Sequence, residues 1–133
     1  MIPEFELVEP RDLPSALAAL EELGPKARAM AGGTDVLLAM RDKGLKADCL
    51  VYIGLLPELR GIEETPDGGI SIGAATPLHE VETSTIVHRL CPLLAEAVRQ
   101  IGSVQVRNRG TLGGNVCNAS PSADSAPVLL VLQ

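Results

Sequence analysis

The chain has 133 residues, 46% hydrophobic and 21% charged, which is one domain's worth of sequence with enough length to bury a core. A formal net charge of −6 and no basic stripe weigh against nucleic acid or an anionic membrane as partner, and no run approaches the ~20 apolar residues of a transmembrane helix. With no Trp and only Tyr52 and Phe5 as aromatics, the core must be aliphatic.

In chain order, "EFELVEP" alternates and suits a first strand; the acidic, proline-broken "MIPEFELVEP" is not a secretion signal. "DLPSALAALEEL" is expected as a helix capped by Asp12, with Leu13, Ala16, Leu17, Leu20 and Leu23 on one buried face and Gly24-Pro25 ending it. "ARAMA" is a short strand, Gly32-Gly33 breaks it, and "TDVLLAMRDKG" resumes as a helix. "CLVYIG", continuous and β-branched, is a buried strand, so residues 27 to 54 make one βαβ crossover.

"RGIEETPDGGISIGAAT" is expected as a hairpin turning at Pro66-Asp67-Gly68-Gly69. Thr76-Pro77 carries N-cap and first-turn chemistry for the short helix "PLHEVETS", and Ser84 is placed to start another. Pro92 to Gly102 is a helix with Leu93, Leu94, Ala97, Val98 and Ile101 on one face. The polar, glycine-dense "RNRGTLGGNVCNASPSADSAP" follows, then a closing helix in "SADSAPVLLVLQ" capped by Ser122 or Asp124, with Pro127 in its first turn. The reading divides the chain into residues 1–55, α/β, and 56–133, α+β.

Catalytic side chains are scarce. His79 and His88 read as surface or cap residues. The chain has no nucleophile elbow, no zinc-ligand spacing, no P-loop and no GxGxxG fingerprint. Two glycine pairs remain, in "MAGGTDVLL" and "GTLGGNVCNASPSAD". Paired glycines permit positive φ, so successive N–H groups can converge into an anion nest; the first pair also precedes a helix, where negative charge is favoured. Thr34, Thr111, Asn115 and Ser120 add short donors. Two such loops brought together suit a diphosphate. Either pair taken alone reads more simply as a tight turn; it is the occurrence of both, each beside a Thr, that points to an anion.

"AGGTDVLLAMRDK" together with "IGSVQVRNRGTLGGNVCNASPSADSAPVLL" resembles the FAD-binding medium subunit of the molybdenum hydroxylases, the relatives of xanthine dehydrogenase, carbon monoxide dehydrogenase and aldehyde oxidase. The resemblance runs over essentially the whole chain. It implies an α+β fold, the two-subdomain FAD-binding domain shared with vanillyl-alcohol oxidase (the PCMH type), with FAD in the cleft between a small subdomain at 1–55 and the start of a larger one at 56–133. It implies a first FAD loop over Ala29, Met30, Ala31, Gly32, Gly33, Thr34, Asp35 and Val36. A second loop on the same diphosphate would be Thr111, Leu112, Gly113, Gly114 and Asn115. Asp124 would hold a ribose or adenosine hydroxyl, and Ile101 and Gly102 would pack near the cofactor. Thr76 and His79 match a segment that approaches the flavin in some relatives, and Arg107 and Arg109 are expected to shape the second loop through carboxylates or helix-end carbonyls.

Medium subunits are considerably longer, so the resemblance also implies an N-terminal part, whether a fragment, a split gene product or a truncated form. The implied partners are an iron–sulfur small subunit and a large subunit carrying the molybdenum cofactor; FAD would take electrons from the clusters and pass them to NAD or another acceptor. No metal ligands are expected in this chain. Two alternatives stand beside this: an assembly module that keeps the fold without flavin, and a phosphate- or nucleotide-binding module unrelated to redox.

Cys49, Cys91 and Cys117 have no metal-ligand spacing. With no signal peptide they read as reduced thiols in a cytoplasmic protein, each a small buried hydrophobe. All three are therefore expected to titrate with a thiol reagent after denaturation under non-reducing conditions. A stoichiometric disulfide would contradict that reading.

Overall fold

The structure, a computed structural model, describes residues 1–132. Three strands, β1 (Glu6–Val8), β2 (Ala27–Met30) and β3 (Cys49–Tyr52), form a parallel sheet in the order β1-β3-β2. Its centre is the continuous apolar run: Cys49, Leu50 and Val51 are buried, as a strand covered on both faces requires. Strand alternation sends Val51 to one face and Leu50 to the other. On the first face, α1 (Leu13–Leu23) packs Ala16, Leu20 and Leu23 around Val51 and Leu56. On the second, α2 (Val36–Asp42) packs Met40 and Leu37 with Phe5 around Leu50.

The start of α1 is as expected. Asp12 Oδ1 accepts from the Ser15 N–H at 2.8 Å, and the Ser15 hydroxyl accepts in return from the Asp12 N–H. The Ser15 hydroxyl also donates to Asp12 Oδ1, and that bond first, then the one from the Ser15 N–H, holds the Asp12 carboxyl below its ordinary pKa. One expectation fails here: Leu17 is 58% exposed. The 3.6-residue period rotates it off the stripe that Ala16, Leu20 and Leu23 present to the sheet.

The second part begins with an antiparallel hairpin, β4 (Ile62–Glu64) against β5 (Ile70–Ile72), pairing Ile62 with Ile72. Its isoleucines lie on a helical core. Leu78 and Val81 come from α3 (Leu78–Thr83), Val87 from α4 (Thr85–Leu90), and Leu94, Ala95 and Val98 from α5 (Pro92–Arg99). Ser84 separates α3 from α4 and caps the latter by accepting from the Val87 N–H at 3.3 Å. Leu93, expected on the buried face of α5, is 50% exposed, and Ala95 takes its place. Thr76 does not cap α3. Its fully buried hydroxyl instead accepts from the Gly61 N–H and donates to the Gly61 carbonyl, tying α3 to the start of the hairpin.

The largest departure concerns the glycine-dense segment, expected as an irregular lining loop. It forms α6 (Val104–Arg109) and α7 (Leu112–Asn118), joined by Gly110 and Thr111. Thr111 is the N-cap, accepting from the Gly114 N–H at 3.1 Å. Gly113 lets α7 pack directly on Ala74: a Cβ there would sit 2.7 Å from the Ala74 side chain and carbonyl. Local propensity disfavours helical glycine by about 1 kcal/mol; the cap and this approach override it. A last helix, α8 (Ser125–Val131), follows with Asp124 at its N-cap position and Pro127 in the first turn, and returns Val128 to the core.

Leu94→Ala, at a fully buried site in this cluster, is expected to lower unfolding free energy by about 2–5 kcal/mol. Leu93→Ala, one residue away and half exposed, should change it by no more than about 0.5 kcal/mol. Urea denaturation of the two variants checks the assignment of faces.

Candidate functional site: a donor-lined cavity between the two cores

Among the described residues β2 pairs with β3 alone, so its outer edge is left open. That edge faces a cavity of about 720 Å³, within the range of small-molecule sites. Ala27, Arg28, Ala29 and Met30 line it along the strand, then Ala31, Gly32, Gly33, Thr34, Asp35 and Val36 along the turn into α2. Leu38, Ala39 and Leu45 make an apolar flank. The opposite wall belongs to the second core: Leu78, Ile101, Gly102, Val106, Gly110, Thr111, Gly114, Asn115, Cys117 and Asn118.

The two walls come into close backbone contact at Gly32. Gly32 lies against the Arg109–Gly110 peptide, where a Cβ would overlap the Arg109 carbonyl oxygen and come within 2.8 Å of Gly110 Cα. The Gly110 carbonyl, in turn, accepts from the Leu78 N–H at 2.8 Å, so the contact is anchored in the second core.

The polar character of the cavity is one-sided. Among the described residues, the backbone N–H groups of Gly32, Gly33, Thr34 and Asp35 have no acceptor within the protein, nor does the Thr34 hydroxyl. Arg28 lines the cavity and forms no ion pair among the described residues. Across the cleft the main chain behaves differently. The N–H groups of Leu112, Gly113 and Asn115 donate to Thr76, Ala74 and Thr111 carbonyls at 3.2, 2.9 and 3.0 Å, and that of Gly114 is taken by the Thr111 hydroxyl. The second glycine pair thus forms no nest of free N–H groups; it serves helix packing. What that wall offers is side chains, the Thr111 hydroxyl hydrogen and the Asn115 amide. Excess donors, one cation and an apolar flank fit a ligand with a diphosphate and a planar base. Such a ligand would be held by Gly32–Asp35 on one side and Thr111 and Asn115 on the other.

Arg107 shapes the wall as a buried tie. Its Nε donates to Glu82 at 2.9 Å, and one terminal nitrogen donates to the Ile101 and Gly102 carbonyls at 3.1 and 3.3 Å. It thereby acts through a carboxylate and helix-end carbonyls, but on the α5–α6 connection rather than on the start of α7. Arg109 is exposed and reaches the Tyr52 hydroxyl at 3.4 Å.

Leu112, Gly113 and Asp124, among the residues expected around the cofactor, lie outside the cavity wall. Leu112 is buried in the helical core, Gly113 faces Ala74, and Asp124 is exposed at the end of α8, where the helical turn sends Ser125 inward instead. Thr76 and His79 are not on the wall either; Thr76 is turned to Gly61 and His79 lies beside Glu82. Cys117, expected as buried, is exposed and lines the cavity, while Cys49 is buried. The sequence reading missed Arg28, whose only signal was a cation inside an otherwise apolar strand, and Ser125.

Gly32→Ala is expected to push the two walls apart. Overpacking against backbone of this kind costs about 1–3 kcal/mol, so the variant should melt earlier in a thermal scan and bind ADP more weakly by calorimetry. Wild-type values for both would show that the contact is dispensable.

Residues 3–133 match the family described as the FAD binding domain in molybdopterin dehydrogenase. In sequence the chain is similar to the carbon monoxide dehydrogenase medium chain of Hydrogenophaga pseudoflava, 37% identical over 131 residues, covering 98% of this chain and 45% of the relative. It is also similar to the xanthine dehydrogenase FAD-binding subunit of Escherichia coli O157:H7, 41% identical over 107 residues, covering 80% of this chain and 37% of the relative. Among solved structures, carbon monoxide dehydrogenase from Hydrogenophaga pseudoflava lacking the Mo-pyranopterin moiety matches with a TM-score of 0.88 and 39% identity, over 94% of this chain and 43% of that one. Quinoline 2-oxidoreductase from Pseudomonas putida 86 matches with a TM-score of 0.88 and 30% identity, over the same shares of the two chains. The chain spans less than half the length of these relatives. A family match over nearly every residue, around a cavity whose free donors suit a dinucleotide diphosphate, establishes that the chain belongs to the FAD-binding domain family of molybdopterin dehydrogenases.

Proposed function

We propose that this chain is the FAD-holding N-terminal part of the electron-transfer subunit of a molybdenum hydroxylase complex. In that complex electrons pass from iron–sulfur clusters of a small subunit, supplied by a large subunit carrying the molybdenum cofactor, to NAD or another acceptor, in the cytoplasm. The similarity to medium chains of carbon monoxide and xanthine dehydrogenases supports this reading. The single observation that carries it is the row of acceptor-free N–H groups from Gly32 to Asp35, placed across a cleft from Thr111 and Asn115. A docking module with no cofactor has no use for such a row, so the flavin-free alternative is the weaker one.

On this reading the division at residues 1–55 and 56–133 is that of the two subdomains of the vanillyl-alcohol oxidase (PCMH) type, and the cavity is their cleft. Bound FAD supplies one- and two-electron redox chemistry. The chain's own residues bind and orient it. Gly32, Gly33, Thr34 and Asp35 donate main-chain N–H groups to the diphosphate, and Arg28 supplies a countercharge. The open edge of β2 and the flank of Leu38, Ala39 and Leu45 receive the adenosine end. Ile101 and Gly102, held by Arg107, close the opposite wall and exclude water from it.

Competitive calorimetry on the 133-residue chain tests the reading. FAD and ADP should compete for one site, because both carry the diphosphate and adenosine that these residues hold. Riboflavin, which lacks both, should displace FAD poorly. Failure of FAD to bind, or displacement by riboflavin as readily as by ADP, overturns the assignment.

A further inference from the structure

Ser125 is fully buried at the first residue of α8, away from the glycine pairs that mark the site in the sequence. Its hydroxyl donates to Asn115 Oδ1 at 2.6 Å and makes no other hydrogen bond among the described residues. The direction of that bond follows from what each group needs. A buried hydroxyl hydrogen with no acceptor is costly, and among the described residues the Asn115 carboxamide oxygen is the one acceptor bonded to it. The amide is therefore locked with its oxygen toward α8. Its amino end, which has no partner among the described residues, belongs to a residue that lines the cavity.

We infer that Ser125 is a positioning residue for the diphosphate: it fixes the Asn115 amide so that two N–H donors, and not the carbonyl oxygen, meet the anion. The inference rests on the reading of the cavity as a diphosphate site and adds a division of labour to it. One wall supplies main-chain donors. On the other, the N–H groups from Leu112 to Asn115 are all used inside the protein, so its donation passes to side chains, and an unanchored Asn can turn either end to the ligand. A repulsive carbonyl at that point would cancel part of what Gly32–Asp35 contribute. Ser125 removes that option before the ligand arrives, so no ordering cost is left for the binding step.

The test is a double-mutant cycle read by calorimetry with ADP on the 133-residue chain, with circular dichroism to confirm folding. Ser125→Ala should weaken ADP by about three- to tenfold, the range of one hydrogen bond, and Ser125→Thr, which keeps the hydroxyl, should restore most of the loss. Asn115→Ala should weaken ADP by at least as much. The pair should not be additive: adding Ser125→Ala to Asn115→Ala should cost less than about a further twofold, because the serine then has nothing to orient. Losses that multiply in the double variant, or an unchanged affinity in Ser125→Ala, overturn the inference. Asn115→Asp gives a second arm should the alanine variant not fold. It keeps the acceptor for Ser125 but turns a carboxylate to the diphosphate, so ADP affinity should fall below that of Asn115→Ala; affinity equal to wild type overturns the inference. Wild-type protein that binds neither FAD nor ADP would instead remove the diphosphate reading itself, and the role of Ser125 with it.

Discussion

The close approach of the Gly32 loop to the Arg109–Gly110 peptide is the constraint on which the rest of the site depends. The three-stranded sheet with a small core on each face, and the core under the hairpin and helices, have little reason to meet edge to edge. They meet because a residue without a Cβ allows backbone to lie on backbone at that point. The cavity is what is left beside the contact. Its dimensions follow from how far β2 and α2 stand from α6 and α7 once Gly32 has closed.

Around that contact the hydrogen bonding is asymmetric, and the asymmetry has a physical origin. Among the described residues no acceptor reaches the N–H groups of the turn into α2, so they stay open. At the start of α7 the Leu112 and Gly113 N–H groups are taken by Thr76 and Ala74, and those of Gly114 and Asn115 by Thr111. Buried donors without acceptors are normally avoided. The run of open donors from Gly32 to Asp35 lies instead at the edge of a cleft, on residues that are half-buried or exposed. The same economy explains Arg107: with Glu82 and two carbonyls as partners its charge is satisfied inside the fold, which leaves Arg28 as the cation available to a ligand.

The surface of the molecule carries a second message. Leu130, Val131 and Leu132 at the end of α8 are exposed, as are Leu17 and Leu93 on α1 and α5. Among the described residues no helix is long and apolar enough to cross a membrane. The apolar positions on α1 and α5 lie off the stripes that face their own cores, which follows from helices wider in sequence hydrophobicity than the faces they have to cover.

Much of the fold was legible in the residues themselves. The buried strand at Cys49–Tyr52, the Asp12 cap, the hairpin turn and the Ser84 restart are local: each depends on neighbours a few positions away, and periodicity or capping chemistry reports them. The first glycine pair was legible as an N–H-rich turn for the same reason. The second pair was not, because whether Gly113-Gly114 opens as a nest or winds into a helix is decided by Ala74 and Thr76, distant in sequence. Asp124 and Ser125 stand side by side, and only the way α8 is seated in the core sends the serine inward to Asn115 and the aspartate outward. Outside the glycine-dense segment, the sequence by itself determined which segments are strand, helix and turn, because those are short-range energies. The tertiary structure alone decided which donors remain open to a ligand, because an N–H group is free or satisfied according to what packs against it.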